Sequence, residues 1–201
     1  MVSEMPNSTE GRILDAAERI FLSRGFHRVS MDELARELAM SKKTLYAHFA
    51  SKDDLVAGIM RRRVRRVDAE FQAVLAMEAG FDEKVRGLML GMQRRLGEVS
   101  PAFIDDLRRY TPEIFRIVEE YRAQAIPKYL GGLLEEGIRE GFIREDVKPA
   151  MVVRMLVACV QGILRVDHMM TLDMPPVQAL DTILRVIFQG VFTAKAREVL
   201  S

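Results

Sequence analysis

Apolar positions recur at helical spacing along the whole chain, and no stretch alternates apolar with polar as a half-buried strand does. Ile13, Leu14, Ala17, Ile20 and Phe21 step by one, three, three and one, which is one face of a helix that opens near Ser8 and is stopped by Gly25. Residues 1–7 show no such pattern. Ser30 with Glu33 three residues later has the spacing of a capping box, so a second helix runs through Leu34, Ala35 and Leu38. Ser41 is a favoured N-cap for a third helix. In it Leu45 and Phe49 share one face, while Lys42, Lys43, Thr44, Tyr46 and His48 stay on the outward side. A turn of about three residues around Ala39 and Met40 joins the second and third helices, and so short a connection forces them to cross steeply, as in a helix-turn-helix. Alanine in a left-handed turn would cost on the order of 1 to 2 kcal/mol, so a slightly different turn is expected there.

The pattern predicts a long fourth helix from Ser51 onward, with Val56, Met60, Val64, Val67, Phe71 and Val74 as its stripe. The run Arg61, Arg62, Arg63, Arg65 and Arg66 falls on its other faces and is expected to be a solvated surface, with contact to phosphates or an acidic partner as the alternative. The remainder is helical throughout. Breaks are expected at Ala79-Gly80, Ser100-Pro101, Tyr110-Thr111-Pro112, Gly141 and Asp173-Met174-Pro175-Pro176, with a kink or break at Pro127 and a cap at Asp146. Two late segments are unusually apolar. Met151 to Val166 is apolar almost all round, and Leu180, Ile183, Leu184, Ile187, Phe188, Val191 and Phe192 form a wide stripe. Such helices lie deep in a core or pack on a second copy, and Gly162 and Gly190 would permit close approach. The expectation is a symmetric homodimer through a four-helix bundle of Met151 to Val166 and Val177 to Phe192 from each subunit.

Charge adds a division that the apolar pattern alone does not give. Residues 1–66 carry 13 Lys and Arg against 9 Asp and Glu, and the rest carry 17 against 20, so a net charge of +1 hides a basic N-terminal third. That distribution suits a nucleic-acid module joined to a part that does not touch nucleic acid. The third helix spans about 10 Å at roughly 1.5 Å per residue and fits a major groove about 12 Å wide. Lys42 and Lys43 reach guanine edges or phosphates, Thr44 a phosphate or a thymine methyl, and Tyr46 and His48 backbone oxygens. Lys52, at a helix N-terminus, is a phosphate anchor. Each has a plainer alternative: Tyr46 as packing, His48 and Lys52 as solvated surface.

Nothing in the sequence points to catalysis, a metal or a cofactor. Asp167-His168 is an isolated pair, and no phosphate loop or nucleophile elbow occurs. The single cysteine, Cys159, sits among apolar residues and is expected to be a buried thiol. With no leader and no apolar run long enough to span a bilayer, the expected location is the cytoplasm.

The N-terminal 55 or so residues resemble the tetracycline-repressor (TetR) family of bacterial transcriptional regulators. The matching residues are Arg12-Ile13-Leu14-Asp15-Ala16-Ala17, Phe21, Gly25-Phe26, Val29-Ser30-Met31-Asp32-Glu33-Leu34-Ala35, Ser41-Lys42-Lys43-Thr44-Leu45-Tyr46, His48-Phe49, Ser51-Lys52 and Asp54-Leu55. Ala39 departs from the family's usual turn glycine, and Lys43 stands where a small residue is frequent. The resemblance implies an all-α protein, with a helix-turn-helix DNA-binding domain at 1–52 and a helical ligand-binding and dimerisation domain at 53–201. It implies DNA contacts from Ser30, Lys42, Lys43, Thr44, Tyr46, His48 and Lys52, a palindromic operator, and release of the operator by an effector. For that effector, Leu88, Met92, Phe103, Leu107, Tyr110, Phe115, Tyr121 and Met155 are the candidate lining, and 13 methionines favour an adaptable apolar cavity. A DNA-binding or protein-interaction module that responds to no ligand is the rival reading.

Overall fold

The computed structural model describes residues 8–163, 174–191, 194 and 198. Its helices are α1 Thr9–Arg24, α2 Met31–Glu37, α3 Lys42–His48, α4 Lys52–Leu75, α5 Phe81–Gly97, α6 Pro101–Tyr110, α7 Pro112–Arg139, α8 Pro149–Ile163 and α9 Pro176–Val191. No β-strand occurs among the described residues, and no helix among them is long and apolar enough to cross a membrane. Val166, Asp167, His168 and Phe192 lie outside the described residues.

The first four helices begin where serines satisfy their orphan amides. Ser8 accepts from the Gly11 N–H at 3.0 Å, Ser41 from Thr44 at 3.0 Å and Ser51 from Asp54 at 3.0 Å. At Ser30 the capping box is complete: Glu33 N–H donates to the serine hydroxyl and the Ser30 N–H donates to the Glu33 carboxylate at 2.7 Å. Gly25 ends α1 with φ +82, a region that glycine enters without steric cost.

The chain packs as two compact units: residues up to 65 with 98–118, and 66–97 with 119 onward. The functional division expected at 52/53 is a different partition from this one. The first unit is built on Ile13, Phe21, Phe26, Leu34, Leu45, Phe49, Leu55 and Ile59, with Phe103 and Leu107 of α6 in the same core. The second is built on Phe81, Leu88, Leu130, Leu133, Leu134, Leu156, Leu180, Leu184 and Phe188. There Gly137 lets α7 pass the Phe81 ring, which a Cβ at 137 would meet at 2.5 Å.

Several expectations are corrected. Ala39 does take the left-handed conformation, φ 51, so the turn between α2 and α3 has the usual geometry and an alanine bears its strain. Of the kink or break expected at Pro127, the break does not occur: α7 runs through it, with Ala125, Tyr129 and Leu130 buried on either side. Asp146 does not cap α8, which begins at Pro149; its carboxylate pairs with Arg144 instead. Cys159 is half-buried, not buried. Arg62 and Arg63 are not part of a solvated face, since Arg62 is buried and both reach the buried carboxylate of Glu18.

Candidate nucleic-acid interface

Leu45 is fully buried and Phe49 nearly so, and these two anchor α3 in the first unit's core. With that face fixed, Lys42, Lys43, Thr44, Tyr46 and His48 are all exposed. Among the described residues Lys43, Tyr46 and His48 have no hydrogen-bond or ion-pair partner, so their polar groups face solvent. This is the arrangement an α-helix needs to offer a groove: apolar anchors behind, and donors and positive charge in front.

The other candidates are already engaged. The Lys42 ammonium pairs with Asp32 of α2 at 2.5 Å, and both side chains are more than half exposed. The Thr44 hydroxyl lies 2.8 Å from that of Ser41. Ser30 has its amide and its hydroxyl on Glu33. Those two bonds, the backbone one first, hold the Glu33 carboxyl below the ordinary value of 4.5. Lys52 does not project freely from the start of α4, because its ammonium donates to the His27 carbonyl at 2.8 Å and the Val29 carbonyl at 3.1 Å. It thereby ties α4 to the connection that leads into α2.

Sequence periodicity gave no sign of the polar contacts that complete this unit. Arg62 donates to Glu18 at 2.7 Å and reaches Asp15 at 2.9 Å, while Arg63 meets Glu18 at 2.8 Å and Glu98 at 3.3 Å. Asp106 of α6 accepts from the backbone amides of Phe26 and His27. Their partners lie tens of residues away in sequence, where no local pattern points to them.

The residues expected to line an effector cavity do not gather in one place. Phe103, Leu107 and Phe115 belong to the first unit's core or its edge, and Tyr110, 47% exposed, stacks on His27 with ring centroids 3.6 Å apart. Leu88, Met92 and Tyr121 belong to the second unit's core, and Met155 is exposed on α8. The second unit also holds a polar knot that the sequence did not reveal. Asp68 accepts from Tyr129 at 2.5 Å, from Tyr121 at 3.2 Å and from Gln72 at 2.7 Å. Burial, then the charge of Asp68 and the bond to it, pushes the Tyr121 phenol above its ordinary range.

Comparison with known proteins agrees with this geometry. The profile of the bacterial regulatory proteins, tetR family, matches residues 13–59, which are α1 to α3 and the start of α4. The HTH-type transcriptional regulator UidR of Escherichia coli (strain K12) is 27% identical over 159 residues, covering 78% of this chain and 80% of UidR. Among solved structures, SmeT, the repressor of the Stenotrophomonas maltophilia multidrug efflux pump SmeDEF, superposes with a TM-score of 0.69 at 20% identity, over 94% of this chain and 93% of SmeT. The ketosteroid transcriptional regulator KstR2 of Mycobacterium tuberculosis gives a TM-score of 0.61 at 20% identity, over 96% of this chain and all of that one. These likenesses between structures show the fold alone. The profile match lies on the helix-turn-helix, so residues 13–59 form a domain of the TetR family of bacterial regulatory proteins.

Proposed function

We propose that this regulator is a repressor that binds a palindromic operator as a homodimer and leaves it when a small, largely apolar ligand binds. The observation that carries the DNA reading is the outward face of α3, where Lys43, Tyr46 and His48 stand exposed over buried Leu45 and Phe49. In this reading residues 1–52 read DNA and 53–201 bind the ligand and the partner subunit. Lys43 reads base edges, and Tyr46 and His48 bond the backbone. Lys42 exchanges Asp32 for phosphate, an exposed pair that costs at most about 1 kcal/mol to part. Thr44 and Ser30 belong to the same exposed surface, and Lys52 supports it with the bonds it already makes.

The dimer reading rests on α8 and α9. Their inward faces are covered by the chain itself, which leaves Met151 at 54%, Met155 at 50% and Val186 at 66% exposed. These are large apolar side chains facing solvent on neighbouring helices, and a second copy would cover them. For the ligand, Leu88, Met92 and Tyr121 belong to the second unit's core, which supplies apolar side chains and one phenol hydroxyl. Repression by occlusion needs no enzyme chemistry, and the expected place of action is the cytoplasm.

The test is selection of duplexes from fragmented genomic DNA by the full-length protein, followed by mobility shift at fixed salt. The expected product is an inverted repeat with half-sites about one helical turn apart or somewhat more. A panel of steroids and fatty acids is then screened by thermal shift and for release of the selected duplex. Binding to no duplex sinks the DNA reading; binding that no member of the panel relieves removes the support for an apolar effector and favours a regulator that responds to no ligand.

A further inference from the structure

Contacts from α6 and its N-cap converge on the end of α1 and on the six-residue connection, 25–30, that leads into α2. Asp106 presents one oxygen, Oδ2, to two successive backbone amides, Phe26 at 2.7 Å and His27 at 2.8 Å. One helical turn on, Tyr110 lays its ring flat on His27, with 5° between the planes. At the other end of the helix the Ser100 N–H donates to the Leu22 carbonyl at 2.9 Å, and between them Phe103 meets Phe26 edge-on. Position 25 shows how close the approach is. A Cβ there would overlap the Asp106 carboxylate and lie 3.4 Å from the Ala102 carbonyl oxygen, so glycine serves both the left-handed backbone and the oxygen beside it.

The opposite side of the same connection is held by Lys52, whose ammonium takes the carbonyls of His27 and Val29. Between these two grips lie the residues that run straight into the capping box of α2. Two adjacent amides converging on one ionised oxygen form charge-assisted bonds, roughly twice as strong as neutral ones. Without Asp106 both amides lose a partner, and the connection keeps only its ring contacts and the grip of Lys52.

We propose that Asp106 is a positioning residue for DNA reading: by holding the Phe26 and His27 amides, α6 sets where α2, and with it α3, is presented. Asp106 touches no DNA in this arrangement and acts through the connection alone. The inference rests on the reading of α3 as the DNA-binding helix and adds to it a residue from outside the helix-turn-helix. It makes α6 the element whose displacement would disorder the reading head without altering any side chain that faces the groove.

The experiment compares wild type, Asp106→Ala, Asp106→Asn and, as a neighbouring control, Asp105→Ala, all full-length. The probe is the duplex that wild type retains from genomic fragments. Amide hydrogen exchange without DNA, affinity at fixed salt, and the slope of affinity against salt are measured. With Asp106→Ala, exchange at Phe26 and His27 is expected to quicken on the order of tenfold while the core of α1 keeps its protection. Affinity should fall roughly five- to twentyfold with a salt slope altered by less than about 0.9, the share of one phosphate contact. Asparagine, which keeps an acceptor oxygen without the charge, should recover part of both effects, and Asp105→Ala should match wild type. If Asp106→Ala fails to fold, Asp106→Asn carries the comparison.

The proposal is overturned if exchange at the two amides does not change, if it quickens while affinity stays within about twofold, or if the salt slope shifts by a full phosphate contact. Failure of wild type to retain any duplex is a different result. It removes the DNA reading itself, whereas retention by wild type with an unaffected Asp106→Ala removes only the role of Asp106.

Discussion

Arg62 and Glu18 meet at 2.7 Å with both side chains buried, and this pair ties α4 to α1. A buried ion pair gains little over an apolar pair of the same shape, but leaving one charge without its partner costs roughly 3 to 5 kcal/mol. Arg62→Met takes one buried cation from Glu18 while Arg63 stays in place, so a loss of about 2 to 4 kcal/mol is expected in urea unfolding. The double change Arg62→Met with Glu18→Leu should restore much of that loss. Equal destabilisation by the single and the double variant would show that packing, not charge, accounts for the effect.

Lys43 lies on α3 and Lys52 at the start of α4, and the two should behave differently. Lys43 faces solvent without a partner among the described residues, so Lys43→Ala should change the preferred sequence and flatten the salt dependence by up to about 0.9 if the contact is to phosphate. Lys52 is spent on two carbonyls of its own chain. Lys52→Ala should weaken binding to all sequences while largely preserving the salt slope, and should loosen the 27–29 connection in hydrogen exchange. A lost slope in Lys52→Ala would mean that its ammonium leaves those carbonyls for phosphate.

The helix-turn-helix was legible because its signals are local. Caps at Ser8, Ser30 and Ser41 lie within three residues of the amides they serve, and Leu45 and Phe49 declare their face by a spacing of four. What escaped was long-range or compensated. Asp106 meets Phe26 across 80 positions and Arg62 meets Glu18 across 44, so a run of arginines looked like solvated surface. At Pro127 the local penalty was read correctly, but the burial of Tyr129, Leu130 and Leu133 on the following turns outweighs it. The candidate effector residues have apolar spacing, which core and cavity share; six of them divide between two cores, and Tyr110 and Met155 are exposed.

Ala39 at φ 51 is the one non-glycine residue with positive φ among the described residues. A left-handed alanine costs about 1 to 2 kcal/mol, part of which glycine returns through its looser unfolded state. Ala39→Gly should therefore raise stability by about 0.5 to 1 kcal/mol. Its side chain is exposed, so the effect should appear in the melting temperature without a change in the preferred DNA sequence. A neutral or destabilising outcome would mean that the turn does not hold this conformation in solution.

Glu33 links the start of α2 to pH. Its carboxyl titrates below the ordinary 4.5 because the Ser30 N–H, and then the Ser30 hydroxyl, bond the charged form. A lowered folded-state value means that the capping bonds stabilise fully above 4.5 and are lost as pH falls from there through the lowered value. The Glu33 side-chain carbon signal should show that low midpoint, and the Ser30 amide should report the same one. Glu33→Gln should abolish the shared titration. A Glu33 midpoint at the ordinary value would show that the capping box is not formed.

Val186 and Met155 test the dimer without touching the DNA-binding unit. Both are at least half exposed, so a charged residue at either position can keep its charge in solvent in the single chain. In a symmetric interface each position occurs twice, and an introduced charge faces an apolar surface on the partner as well as desolvation of its own. Wild type should sediment at twice 22.9 kDa, and Val186→Asp combined with Met155→Glu should shift it toward the single-chain mass with the melting of the first unit preserved. Because two reading heads must settle on one duplex, the monomeric variant should also lose operator binding far more than non-specific binding. A wild type that sediments at 22.9 kDa, or a doubly charged variant that stays dimeric, would place the interface elsewhere or remove it.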